Sequence, residues 1–164
     1  TLMTNKDLEK HFRDANINFT RTDVGDKYVL DELLNRGWFL GGEPSGHIIC
    51  LDVSSTGDAL IAALKILYNT KERSFDIDEI LADFNKFPQC LINLKVDNAN
   101  EVIMNNSFRA ALKNIEASLG DLGRVLIRPS GTEPLIRIMV ESKKAGVADE
   151  SARLLADVAT SIYK

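Results

Sequence analysis

Residues 124–141 read Arg-Val-Leu-Ile-Arg-Pro-Ser-Gly-Thr-Glu-Pro-Leu-Ile-Arg-Ile-Met-Val-Glu. Two apolar segments, Arg124–Arg128 and Leu135–Glu141, flank a polar break of Pro, Ser, Gly and Thr, so two strands separated by a loop are predicted. Upstream of them, Gln89–Val96 reads as a further strand and Asn106–Leu119 as a helix stopped by Gly120. Downstream, Ala145–Tyr163 reads as a closing helix. The order β-α-β-β-α describes a small α+β unit, expected over residues 89–164.

The stretch before Pro88 has a different rhythm. Lys6–Ala15 carries Leu8, Phe12 and Ala15 at helical spacing, and Asp26–Asn35 places Val29, Leu30, Leu33 and Leu34 on one side, with Gly37 after its end. Gly57–Tyr68 is a strongly apolar helix with Thr56 or Ser55 available as N-cap. Between these helices, the tail of a strand at Thr1–Asn5 and strands at Ile17–Thr20, Trp38–Leu40 and His47–Asp52 are expected. This alternation predicts an α/β layer architecture over residues 1–72, a three-layer domain whose first strand is truncated. Composition then turns polar at Asn69–Ser74, and a short helix over Asp76–Phe84 precedes Phe87-Pro88. Residues 73–88 are expected to link the two units.

The chain has 164 residues, of which 45% are hydrophobic and 27% charged, with a formal net charge of −4. That composition is ordinary for a globular protein and excludes a disordered or collagenous chain. No cluster of Lys and Arg marks a nucleic-acid face, and no apolar run approaches the roughly 20 residues of a membrane span. Neither nucleic acid nor a membrane is expected as a partner. Cys50 and Cys90 lie far apart in apolar surroundings and read as reduced structural thiols, which suits a cytoplasmic protein. The N-terminus lacks the apolar core of a signal peptide and reads like the middle of a longer chain.

Two loops carry chemistry. In Gly41-Gly42-Glu43-Pro44-Ser45-Gly46-His47 the glycines free the backbone for positive φ and for close approach of a ligand. Glu43 is an acceptor-only group suited to two neighbouring sugar hydroxyls, Ser45 adds a donor and acceptor, and Pro44 stiffens the loop. The same residues also fit a Gly-rich hairpin turn, with Glu43 solvated and His47 bonded to backbone. In Arg128-Pro129-Ser130-Gly131-Thr132-Glu133-Pro134, Arg128 supplies a planar fork of donors, Ser130 and Thr132 supply hydroxyls, and Gly131 permits an inward turn of backbone N–H groups as an anion nest. This is a complete set for a phosphate dianion, although a plain polar connection uses the same residue types. Arg137 is either a second cation or a surface strand residue. No Lys-Ser/Thr follows a glycine, so nucleotide hydrolysis is not implied.

Together the loops resemble those of the α-D-phosphohexomutase superfamily. Residues 41–47 resemble its sugar-binding loop, with core Glu-x-Ser-Gly-His, and residues 128–134 its phosphate-binding loop, with core Arg-x-Ser-Gly-Thr-x-Pro. The segment at 21–43, with its Val-Gly-Asp-Lys-Tyr-Val element, and Ser55–Leu64, with Thr-Gly-Asp, agree with the same pattern. Details favour the phosphoglucosamine branch, with Pro44 as a departure from its usual Gln or Asn. The resemblance implies a four-domain isomerase that interconverts glucosamine 6-phosphate and glucosamine 1-phosphate through a phosphoserine and a bisphosphorylated sugar, supplying cell-wall precursors. This chain corresponds to most of the third domain plus the fourth. The phosphoserine segment and the aspartate-rich loop that binds Mg2+ are not found in it, so no catalytic or metal-binding residue is expected here. The implied sugar contacts are Glu43, Ser45 and His47, and the implied phosphate contacts are Arg128, Ser130, Gly131 and Thr132. Lys27 and Arg137 are further candidates, Lys27 being equally readable as a surface helix residue. The implied partners are a phosphorylated hexosamine and the first two domains of the same polypeptide, with a homodimer of the whole enzyme also compatible. A phosphomannomutase/phosphoglucomutase, or a non-catalytic phosphosugar-binding module, would carry the same two loops.

Overall fold

The computed structural model describes residues 1–74 and 76–163; Phe75 and Lys164, inside the expected 73–88 and 89–164 stretches, lie outside the described residues. The chain is mixed α/β and divides into two compact units, Thr1–Asn85 and Lys86–Lys164.

In the first unit, helix α1 spans Lys6–Asp14 and is capped by Asn5, whose side chain accepts a hydrogen bond from Asp7 N. Helix α2, Asp26–Arg36, ends in a Schellman turn. Gly37 takes φ +66°, Gly37 N donates to Leu34 O, and Trp38 N donates to Leu33 O. Strands β1, Leu40–Gly42, and β2, Ile48–Cys50, pair antiparallel with Gly41 opposite Ile49. Val29 and Leu33 of α2 pack with Ile49, Leu30, Trp38 and Leu51. Gly41 is what lets α2 come this close: a Cβ there would sit 2.5 Å from Val29 Cγ1.

Helix α3 runs Ala59–Arg73, further than the predicted Tyr68. Its cap is Asp58, whose carboxylate accepts from both Leu60 N and Ile61 N, and not Thr56 or Ser55. A short helix α4, Ile77–Ala82, follows. The strands predicted at Thr1–Asn5 and Ile17–Thr20 do not form. A strand needs a ladder partner; here Leu2 N reaches Thr22 O, and Ile17 N folds back to Phe12 O at the end of α1.

The second unit is a three-stranded antiparallel sheet, β3 (Gln89–Lys95), β5 (Leu135–Ser142) and β4 (Gly123–Pro129), in the order β3-β5-β4. Its apolar face carries Cys90, Ile92, Leu94, Ile136, Ile138, Val140, Val125 and Ile127. That face is covered by helices α5 (Ala99–Met104), α6 (Asn106–Leu119) and α7 (Val147–Tyr163). Ala148, Ala152, Leu155 and Ala159 repeat at helical spacing and are fully buried, so small side chains bring α7 close to the sheet. The predicted β-α-β-β-α order thus gains a helix. Six-residue α5 is too short to show a period, but Asn98 caps it through Glu101 N, and Asn105 caps α6 through Ser107 N. On the opposite face Glu141 is 0% exposed and forms a two-pronged ion pair with Arg124, at 2.7 and 3.2 Å.

Two expectations follow. A Cβ on Gly123 would lie 2.4 Å from Glu141 O and 2.9 Å from Leu119 Cδ2, so Gly123→Ala should destabilise the second unit by about 1–3 kcal/mol in urea unfolding followed by circular dichroism. In the first unit, both ring nitrogens of His11 lie 2.9 Å from backbone carbonyls, Nδ1 from Asp7 O and Nε2 from Asp83 O. Carbonyls only accept, so both bonds form in the imidazolium alone. The Asp7 carbonyl, then that of Asp83 and the Asp7 carboxylate, raise the His11 pKa against slight burial and Lys10. The stabilisation is therefore complete below the unfolded value of about 6.5 and is lost as pH rises through the higher folded value. The melting temperature read from Trp38 fluorescence should fall over that range, and His11→Gln should flatten the dependence.

Candidate functional site

The connection between β1 and β2 is a tight turn. Gly46 N donates to Glu43 O at 3.0 Å, and Glu43 N donates to His47 O at 2.9 Å. Pro44 occupies the second turn position, where its fixed φ fits, and Gly46 takes φ +94°. Of the three glycines expected to free this backbone, Gly46 is the one that uses positive φ; Gly41 serves helix packing instead.

The turn aims its polar groups at the start of α2. The Glu43 side chain is 9% exposed, and its Oε1 accepts from Gly25 N at 3.0 Å, at the positive end of that helix. Its Oε2 lies 3.9 Å from His47 Nδ1. Asp26 Oδ1 approaches the same nitrogen at 3.6 Å. Gly57 closes the group from a third segment: it bridges to Ile49, and a Cβ on it would meet Asp26 Oδ2 at 3.2 Å and His47 Cβ at 3.6 Å. One atom each from Asp26, Glu43 and His47 falls within 4.8 Å of the others, a set able to accept from sugar hydroxyls or to hold a cation. His47 is 61% exposed, and Ser45 is exposed beside it. Lys27 follows Asp26 on an exposed turn of α2, and no contact ties its ammonium to Glu43 or His47.

Sequence reasoning assigned no role to Asp26 or Gly57. Both lie in the Val-Gly-Asp-Lys and Thr-Gly-Asp elements, so the signal was present; what the sequence lacked was their convergence on Glu43.

In the second unit, the connection after β4 is held by Ser130 N donating to Leu135 O at 2.9 Å and by Leu135 N donating to Glu133 O at 2.8 Å. Ser130 Oγ accepts from Thr132 N and Glu133 N at 3.4 and 3.3 Å, which pins the turn and leaves its hydroxyl proton free to donate. Gly131 is not among the glycines with positive φ, so the expected nest does not form by a left-handed turn there; a Cβ on Gly131 would meet nothing within 4 Å, and the loop is open at that point. Pro129 lies on edge strand β4, where a missing N–H is tolerated.

Arg128 and Arg137 are direct partners across β4 and β5. Cross-strand partners share a face, so both guanidiniums stand on the sheet face opposite the helices. Arg137 Nε is buried without a hydrogen-bond partner, and no carboxylate pairs with either guanidinium among the described residues.

Comparison with known proteins identifies the family. Residues 1–87 match the model of phosphoglucomutase/phosphomannomutase alpha/beta/alpha domain III, and residues 91–160 match that of the phosphoglucomutase/phosphomannomutase C-terminal domain. The chain is 50% identical over 156 residues to the phosphoglucosamine mutase of Janthinobacterium sp. (strain Marseille), covering 95% of this chain and 35% of that protein. It is 51% identical over 160 residues to the phosphoglucosamine mutase of Herminiimonas arsenicoxydans, covering 98% of this chain and 36% of that one. The chain thus spans about a third of the length of these relatives. Among solved structures, Aspergillus fumigatus N-acetylphosphoglucosamine mutase in complex with GlcNAc-6P and magnesium is similar in fold, with TM-score 0.75, 15% identity, and coverage of 99% of this chain and 38% of that one. An N-acetylglucosamine-phosphate mutase in its product complex gives TM-score 0.73 at 15% identity, covering 96% and 37%. With two consecutive family domains matched in order along nearly its whole length, the chain belongs to the phosphoglucomutase/phosphomannomutase family and carries its domain III and its C-terminal domain.

Proposed function

We propose that this chain is the substrate-gripping part of a phosphoglucosamine mutase. The whole protein would interconvert glucosamine 6-phosphate and glucosamine 1-phosphate. A phosphoserine outside this chain gives its phosphoryl group to a sugar hydroxyl; the bisphosphorylated sugar reorients and returns its other phosphoryl group to the serine. Mg2+, held by residues outside this chain, would neutralise charge on the transferring group. Phosphoryl transfer depends chiefly on positioning and charge stabilisation, and that is what these residues can supply.

Glu43, anchored on Gly25 N–H, keeps Oε2 and further lone pairs for ring hydroxyls, with Ser45 and His47 alongside. Arg128, Ser130, Gly131 and Thr132, with Arg137, hold the phosphate that is not reacting. Such a division tolerates both substrate orientations, because either phosphate can take the distal place. The observation that carries this reading is the pair of opposed guanidiniums without a carboxylate, beside a loop rich in hydroxyl and N–H donors. Like charges directly opposite on neighbouring strands are unfavourable unless an anion joins them. Support for the glucosamine branch comes from the roughly half-identical relatives that carry that name.

Calorimetric titration with glucosamine 6-phosphate tests the phosphate half. Arg128→Ala should weaken binding by at least about tenfold, the loss of one charge-assisted bond. Unchanged affinity would remove the assignment. The sugar half is tested by Gly57→Ala, whose Cβ would press on Asp26 and His47. Affinity for glucosamine 6-phosphate should fall while affinity for inorganic phosphate stays the same; an equal fall in both would point to damage beyond the sugar loop.

A further inference from the structure

Strand β3 flanks β5 on the side away from β4, and its contribution to the face opposite the helices is Gln89, Leu91, Asn93 and Lys95. Asn93 is the direct partner of Arg137, which is itself the partner of Arg128, so one row across the sheet reads Asn93–Arg137–Arg128. Lys95 is level with Leu135, one row nearer the 130–134 loop, and Val96 N donates to Pro134 O at 3.1 Å. The end of β3 is thereby fastened to the last residue of that loop. The next row away from it is apolar, Leu91–Met139–Leu126, and the one beyond holds the Arg124–Glu141 pair. Positive charge without a paired carboxylate is thus gathered at the loop end of this face.

We infer that β3 forms the second side of the anion site, with Lys95 contacting the anion directly and Asn93 positioning Arg137. This rests on the reading of the Arg128 loop as a phosphate clamp. Neighbouring strands stand about 4.8 Å apart and residues two apart along a strand about 6.8 Å, so an anion above Arg137 is in reach of the long Lys95 side chain from one side and of Arg128 from the other. Within the row, Asn93 alone carries an acceptor that could serve the unpartnered Arg137 Nε, and its amide N–H groups remain free to donate. Both β3 side chains are exposed and have no hydrogen-bond or ion-pair partner among the described residues. Three cations around one site favour a doubly charged group, such as a phosphate monoester, over a singly charged one.

The test is titration of the whole chain with inorganic phosphate and with sulfate, which stays a dianion at every pH used, followed by nuclear magnetic resonance shifts of the 128–134 backbone amides. Lys95→Met, which keeps the stem, should weaken binding by about fivefold, the scale of one exposed charge. Lys95→Arg should restore it. Asn93→Leu should weaken sulfate binding equally from pH 4 to pH 8. Asn93→Asp should weaken it at pH 7.5, where the new carboxylate repels the anion, and recover as pH falls through the carboxylate range near 4. Circular dichroism melting of each variant separates lost binding from lost fold. Should Arg128→Ala abolish binding while the Lys95 and Asn93 variants bind normally, the β3 inference is wrong and the loop reading stands. Should Arg128→Ala itself bind normally, the loop reading fails, and with it the β3 inference.

Discussion

The register of β5 is the constraint on which the second unit depends. It is the middle strand, and its two faces differ completely: Ile136, Ile138 and Val140 are buried under the helices, while Arg137, Met139 and Glu141 point the other way. A slip of one residue would carry Arg137 and Glu141 into the helix-covered core, at several kcal/mol for each unpaired charge. The apolar alternation therefore fixes more than packing. It sets Arg128 against Arg137 and Glu141 against Arg124. One of these pairs is neutralised inside the protein and the other is not, and that difference separates a structural ion pair from the proposed anion site on the same sheet face.

The first unit organises its site by other means. Its main apolar cluster is small, Val29, Leu33 and Ile49, and α3 leaves Leu60, Leu64, Leu67 and Tyr68 more than half exposed. Polar anchors supplement this packing. Arg21 binds Glu9 with two nitrogens and also donates to Thr1 O and Thr4 O, joining the segments on either side of α1. Glu43 is fastened to Gly25 N–H in the same fashion. A carboxylate held in this way loses little further conformational freedom when a hydroxyl arrives, which is the physical content of preorganisation.

Much of this was legible in the sequence because local signals agreed with tertiary ones. Gly37 and Gly120 stop helices where the apolar period ends, and the segments on both sides of residues 128–134 pair as antiparallel strands β4 and β5. The misreadings share one cause. Ile17–Thr20 has strand-like alternation but no ladder to join, and pairing is not a local property. Helix α5 is shorter than two turns, so its caps at Asn98 and Asn105 were the signal to read, not its period. Gly41 looked like a ligand-approach residue and is a helix-approach residue; a glycine announces that something comes close without saying what. Asp26 and Gly57 stand in the Val-Gly-Asp-Lys and Thr-Gly-Asp elements, but their placement is visible only when three separate segments meet at His47.

The two loops also differ in how binding gains its free energy. At Glu43 the acceptor is already engaged, so a sugar hydroxyl adds a bond to a settled group and the net gain is that of an ordinary hydrogen bond, about 1 kcal/mol. At Arg128 and Arg137 the unliganded state is itself unfavourable. Like charges directly opposite on neighbouring strands repel, and screening by salt brings this toward the ~1 kcal/mol typical of exposed pairs. An anion placed between them reverses the sign of that contribution and adds charge-assisted hydrogen bonds of its own. On the proposed reading, the 128–134 loop would dominate affinity and the 41–47 loop orientation. That asymmetry would suit the proposed mutase role, in which the grip on the phosphate must survive while the ring is read in either of two directions.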